Sequence, residues 1–130
     1  MEYNLSKTIV LIGLMGAGKT AIGTILAEHL GVDFVDSDEE ISRAANMSIP
    51  EIFDRDGEDF FRLKETQIIG RLLGSRPHIL STGGGAFLSN ENRKMISGNA
   101  VSVWLDAELE TLWDRVKEKK IKTIINGEGS

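Results

Sequence analysis

The chain has 130 residues, 41% of them hydrophobic, which suffices for one small core and not for two, so residues 1–130 are expected to form a single domain. Its 15 basic residues stand against 20 acidic ones, a net charge of −5 that argues against a protein built to grip a nucleic-acid backbone. Cysteine is absent, which excludes a disulfide framework or thiolate metal site, and no apolar run is long enough for a membrane span or signal core, so a cytoplasmic protein with no membrane partner is expected.

Ile9 to Ile12 are consecutive apolar residues, too few for a free-standing helix but right for a strand buried on both faces of a parallel sheet. The chain then breaks into Gly13-Leu-Met-Gly16-Ala17-Gly18-Lys19-Thr20, the phosphate-loop pattern. Its glycines let backbone N–H groups curl around an anion, Lys19 reaches the outer phosphates, and Thr20 offers a hydroxyl to Mg²⁺. The helix starting there adds the positive end of its dipole, so a nucleoside triphosphate is the expected guest rather than a plain glycine turn.

From Thr20 to Leu30, Ile22, Ile25, Leu26 and Leu30 recur at helical spacing, and Gly31 stands where a left-handed cap belongs. Val32 to Val35 predicts a second strand that delivers Asp36 and Asp38 at its carboxyl end, where open parallel sheets bind ligands. Either acid alone suits a helix cap or first turn. Together beside a Mg-nucleotide they suit a division of labour: one orients the metal's water shell while the other takes a proton from an attacking hydroxyl.

Ser48-Ile49-Pro50-Glu51 is a capping box that starts a helix. The next helix, running from the Gly57-Glu58-Asp59 segment to Leu73, carries Phe61, Ile68, Ile69, Leu72 and Leu73 on roughly one face. Arg62 and Glu65 are neighbours on it, and their spacing by itself predicts a surface ion pair worth about 0.2–0.5 kcal/mol. Only in a cleft would the Arg62 guanidinium grip a carboxylate bidentately, held by Glu65. His78 to Ser81 predicts a third strand running into Thr82-Gly83-Gly84-Gly85-Ala86, either a flexible turn or bare backbone against a ligand. His29 and His78 read as structural. A helix over 89–96, a strand over Ala100–Leu105 and an amphipathic helix over Asp106–Lys117 complete the pattern, with Trp104 and Trp113 expected in the core.

Strands alternating with helices predict an α/β, three-layer αβα fold with a mainly parallel sheet. The phosphate loop, Asp36-Ser-Asp38, Ser48-Ile-Pro-Glu-Ile-Phe53, Gly57-Glu-x-x-Phe61-Arg62-x-x-Glu65 and Gly83-Gly-Gly85 together resemble shikimate kinase in order and spacing, over about residues 8 to 117. The resemblance implies a P-loop kinase that moves the γ-phosphoryl group of ATP to the 3-hydroxyl of shikimate with Mg²⁺, on the way to chorismate and the aromatic amino acids. It implies that Gly16, Ala17, Gly18, Lys19, Thr20 and Ala21 hold the nucleotide phosphates, that Arg115 packs on adenine, and that Thr20 and Asp36 serve Mg²⁺. Asp38 becomes the base for the reacting hydroxyl, Lys19 the catalytic cation, and Arg62 the carboxylate clamp, with Gly83, Gly84 and Gly85 lining the same pocket. Within small-molecule kinases a gluconate kinase is the alternative.

Family members continue past the helix of Arg115 with an Arg-Pro-Leu-Leu lid, a further shikimate-binding arginine, and a last strand and helix. This chain instead reads from Lys119 to Ser130 without an arginine. The expectation is a sheet of four recognisable strands whose fourth is an edge through which copies could associate, in a family otherwise expected to be monomeric. With the lid arginine missing, the expectation is Mg-nucleotide binding with slow transfer at most, or a remnant that holds phosphates and transfers nothing.

Overall fold

Strand β1 (Thr8–Gly13) runs through the middle of a parallel sheet, between β3 (Ile79–Ser81) and β4 (Ala100–Leu105), with β2 (Phe34–Asp36) beyond β3. The computed structural model describes residues 5–13 and 17–105, so Gly16, Arg115, Trp113 and the helix and tail expected beyond Leu105 lie outside the described residues. Within them β4 is an edge strand, as expected.

The alternation of β1 divides the core into two layers. Ile9 and Leu11 pack against Ile22, Leu26 and Leu30 of α1 (Ala17–Leu30). Val10 and Ile12 face the other way, towards α2 (Ser37–Ala45), α3 (Ile49–Asp56), α4 (Glu58–Leu73) and α5 (Asn90–Asn99), whose Ile41, Ile52, Phe61, Ile69 and Ile96 share one cluster with them. The result is the expected αβα sandwich, in which β1 is buried on both faces. Each such aliphatic side chain contributes about 1.5–3 kcal/mol by leaving water.

Local chemistry closes α1 and starts α3 where the sequence predicts, whereas α5 runs on to Asn99, past the expected end at Ile96. Gly31 takes φ +69°, and the Gly31 and Val32 N–H groups donate to the carbonyls of Glu28 and Ala27, closing α1 in a Schellman motif. Ser48 and Glu51 form both halves of the capping box, at 3.2 and 2.9 Å, and the Ser48 backbone N–H holds the Glu51 carboxyl below its usual range. His78 is buried and structural, its Nδ1–H donating to the Arg76 carbonyl at 2.9 Å.

Several details differ. The second strand starts at Phe34, not Val32, because the Val32 N–H is spent closing α1. Asp36 ends that strand and caps α2, an element the sequence pattern did not separate, and a single 3-10 turn forms at Ala86–Leu88. Trp104 is no core residue: it is 55% exposed and meets Phe87 edge-on with ring centroids 5.2 Å apart. The reason is its place on the edge strand. No helix among the described residues is long and apolar enough to cross a membrane.

Candidate active site

Three elements bring their ends to one side of the sheet. The first is the exit from β1. Gly13 leaves the strand at φ +110°, and a Cβ there would lie 2.6 Å from the Leu105 backbone oxygen, so only glycine fits. Ala17, Gly18, Lys19, Thr20 and Ala21 then begin α1, with Thr20 and Ala21 exposed. Lys19 is 5% exposed, and its ammonium donates to the Thr82 carbonyl at 2.5 Å, tying the phosphate loop to the end of β3. Burial lowers the Lys19 pKa, while the nearby Asp36 and Asp38 carboxylates pull it back up.

The second element is the turn from β2 into α2. Asp36 Oδ1 accepts the N–H groups of Asp38 and Glu39 at 2.9 and 3.4 Å, so the capping role open to this residue is realised. Asp38 follows in the first turn of α2, and its Oδ1 is buried without a hydrogen-bond partner among the described residues. Burial first, then the Asp36 carboxylate, push the Asp38 pKa up, against the pull of Lys19 and Arg62. A buried acceptor with no donor and a raised affinity for protons suits a base waiting for a substrate hydroxyl.

The third element joins α4 to the glycine turn after β3. Arg62 Nη1 donates to Glu65 Oε1 at 3.0 Å, and Arg62 Nη2 lies 3.5 Å from Glu58. The ordinary surface pair predicted by spacing alone is corrected here: Glu65 is 1% exposed, fixed in place beneath a guanidinium that remains partly open to solvent. Burial raises the Glu65 pKa, and the hydrogen bond and charge of Arg62 oppose it. Sequence spacing finds the pair but carries no sign of which partner is buried.

The glycine turn is built against these side chains. A Cβ on Gly83 would lie 2.9 Å from both Asp38 carboxylate oxygens, and one on Gly85 would lie 2.5 and 2.8 Å from the two terminal Arg62 nitrogens, whereas Gly84 has open space. Gly83 and Gly85 are therefore close-approach glycines, placing Asp38 and Arg62 over one stretch of backbone. A cavity of about 300 Å³ bordered by Arg62, Glu65, Gly85 and Ser89 adjoins it. The residue missed from sequence is Thr82, whose contribution is a backbone carbonyl that no side-chain pattern announces.

Gly85 has φ −93°, open to any residue, and the atoms nearest to an alanine Cβ there are those of the guanidinium. Gly85→Ala is expected to keep the stability within about 1 kcal/mol in a denaturant titration, because a side-chain end can give way and the unfolded chain loses freedom. The displaced Arg62 should bind a carboxylate ligand more weakly. A variant that loses fold and ligand affinity together would contradict this division.

The residues present fit a phosphate ligand and its cation. Among the described residues no cluster of three or more His, Asp and Glu forms a cation cage. A Mg²⁺ that arrives with phosphates needs only one or two protein oxygens. The exposed Thr20 hydroxyl and the Asp36 carboxylate, whose Oδ1 accepts the hydrogen bonds from the helix it caps, supply that donor set.

A parallel sheet of order β2-β3-β1-β4, with a glycine-rich loop leading from β1 into a helix and acids at the end of β2, defines a P-loop kinase fold. A family model described as shikimate kinase matches residues 15–130. Two similar relatives are a shikimate kinase of Ruegeria pomeroyi, 60% identical over 121 residues, and one of Cereibacter sphaeroides, 58% identical over 121 residues. Each alignment takes in 93% of this chain, and 62% and 61% of the respective relatives. The solved shikimate kinase from Acinetobacter baumannii in complex with shikimate superposes with a TM-score of 0.75 at 40% identity, over 89% of this chain and 65% of that one. The chain belongs to the shikimate kinase family. It spans about three-fifths of the length of the curated relatives it matches. A gluconokinase from Sinorhizobium meliloti, at 20% identity and a TM-score of 0.52, shares the fold alone.

Proposed function

We propose that this chain carries the nucleotide and substrate sites of a kinase that transfers the γ-phosphoryl group of ATP to the 3-hydroxyl of shikimate. The observation that supports it is the meeting of Lys19, Asp38 and Arg62 around the Thr82–Gly85 backbone: a phosphate cation, a proton acceptor and a carboxylate clamp. In this reading Gly16 to Ala21 cradle the phosphates, and Lys19 exchanges the Thr82 carbonyl for a phosphate oxygen. Arg62, held from below by Glu65, binds the shikimate carboxylate and turns the ring so that the 3-hydroxyl meets Asp38 Oδ1, while Gly83, Gly84 and Gly85 line the pocket. Asp38 accepts the hydroxyl proton as the oxygen attacks in line, so acceleration comes from positioning and electrostatics. Thr20 and Asp36 would hold Mg²⁺, whose contribution is to neutralise charge between the phosphates. Arg115 is assigned to adenine on the resemblance alone. The reading makes residues 1–130 one domain of a cytoplasmic enzyme that acts on a small molecule, in a family expected to be monomeric, with β4 as the edge through which copies of this chain could associate.

Arg62→Lys tests it by calorimetry. The charge stays but the planar fork is lost, so shikimate affinity should fall about tenfold to hundredfold while nucleotide affinity holds. A coupled assay of ADP release with and without shikimate supplies the activity. Shikimate binding to the variant as tight as to the parent would place the substrate pocket elsewhere.

A further inference from the structure

The glycine turn that seats Asp38 and Arg62 is itself held from behind. Ala86 N–H donates to the Gly83 carbonyl and Leu88 N–H to the Gly85 carbonyl, each at 3.1 Å, which folds the turn. Folding the turn does not fix its height above the sheet. That is set at Ala86, a fully buried residue whose carbonyl receives two donors: the Ser89 N–H at 3.3 Å and, closer, the Asn92 side-chain amide Nδ2 at 2.9 Å. Asn92 has no exposed surface. Its own backbone N–H donates to the capping Ser89 hydroxyl at 3.2 Å, so the first turn of α5 fixes where the amide points. Its Oδ1 is buried and unpartnered among the described residues. Placing an amide in a dry site to make one hydrogen bond, while leaving its oxygen unsatisfied, is unfavourable as a packing choice. Leucine, of similar size, would fill the same space without that penalty.

We propose that Asn92 is a positioning residue for the substrate site: its amide pins the Ala86 carbonyl and thereby fixes Gly83 against the Asp38 carboxylate and Gly85 against the Arg62 guanidinium. The position that a Gly83 Cβ would take lies 2.9 Å from the Asp38 oxygens, and that at Gly85 lies 2.5 Å from the Arg62 guanidinium, so a shift of the turn by the width of a side-chain atom alters the space left to both side chains. The Lys19 ammonium lies upstream, on the Thr82 carbonyl, outside the segment that Asn92 holds. The effect of losing the amide should therefore fall on the acceptor substrate and spare the nucleotide. The substrate half of this inference rests on the proposed shikimate site.

Asn92→Leu keeps the volume and removes the donor. The expected result is a shikimate affinity reduced about tenfold by calorimetry, an unchanged nucleotide affinity, and faster amide hydrogen exchange at Ala86, Leu88 and Ser89 with protection retained at Ile96 deeper in α5. A parent that binds shikimate and a variant that binds it equally, with unchanged exchange, would overturn the inference and leave the kinase reading standing. A parent that binds no shikimate would count against the kinase reading instead, and the exchange at the turn then decides the positioning role alone: faster supports it, unchanged overturns it. If Asn92→Leu fails to fold, Asn92→Ala takes its place: it too removes the amide donor from the Ala86 carbonyl, so the same loss for shikimate and the same faster exchange are expected, and their absence overturns the proposal.

Discussion

Replacing Lys19 by alanine should reduce phosphoryl transfer about 10³-fold or more and weaken nucleotide binding, while the melting temperature moves by only a few degrees. On the proposed function the chemical effect is large because, among the described residues, the buried Lys19 ammonium is the cation at the loop–helix junction, where the transferred group's charge would develop. The structural effect is small because two terms oppose one another. The Thr82 carbonyl loses a hydrogen bond worth about 1 kcal/mol. Against that, the folded state no longer has to bury an ammonium whose lowered pKa marks the cost of its desolvation. Calorimetry with a nucleotide, a coupled turnover assay and a thermal melt read the three quantities separately. Turnover like the parent's would dismiss the phosphate-loop assignment, and collapse of the fold would show that Lys19 is chiefly a structural strut.

Asp38→Asn should cut turnover about 10²- to 10⁴-fold, the usual contribution of a positioned base, with a smaller change in shikimate affinity. It should also leave the protein no less stable at neutral pH. The sign follows from the raised pKa. The folded protein holds a proton on Asp38 at pH values where the unfolded chain has released it, so stability is fully present below the unfolded pKa and is lost as pH rises through the folded one. Asparagine cannot take part in that loss. Glu65, whose pKa is also raised, keeps part of the slope, and its share diminishes because the Asp38 charge is one of its causes. Urea titrations across pH 3 to 8, by about one unit at a time, should therefore show a shallower decline for the variant than for the parent. A steeper decline would mean that Asp38 is stabilised as a carboxylate and is unsuited to accept a proton.

The parts of this fold legible in the sequence are those written in side-chain chemistry. The apolar run of β1, the glycine that caps α1, the Ser48–Glu51 box and the bounds of β4 all follow from local rules and all stand in the structure. The candidate site was legible as a set of residues and illegible as an arrangement. Nothing in the spacing of Arg62 and Glu65 says that the acid is buried, whereas Asp36 ends a strand and caps a helix, both of which its place in the sequence allows. Trp104 misled because aromatic residues are usually interior, whereas here the sheet stops beside it among the described residues. Asn92 and Thr82 escaped for another reason. Both act through a backbone carbonyl, theirs or a neighbour's, and a carbonyl is the same at every position in the sequence.

The central place of β1 also dictates when this protein can become itself. Its partners are not its neighbours in sequence: Thr8 meets His78, 70 positions further along the chain, and the other flank of β1 waits for Ala100–Leu105. Chains dominated by such distant pairings fold slowly, since a long loop must close before any pairing repays it. On a ribosome adding about 5–20 residues each second, the first strand emerges several seconds before either flank exists. Through that interval its apolar residues, Ile9 to Ile12, have the incipient helices α1 to α4 to lean on but no strand on either side. A segment that ends buried on both faces thus waits without either of its sheet partners, and the yield of folded protein in a cell should depend on how well its open edges are shielded meanwhile.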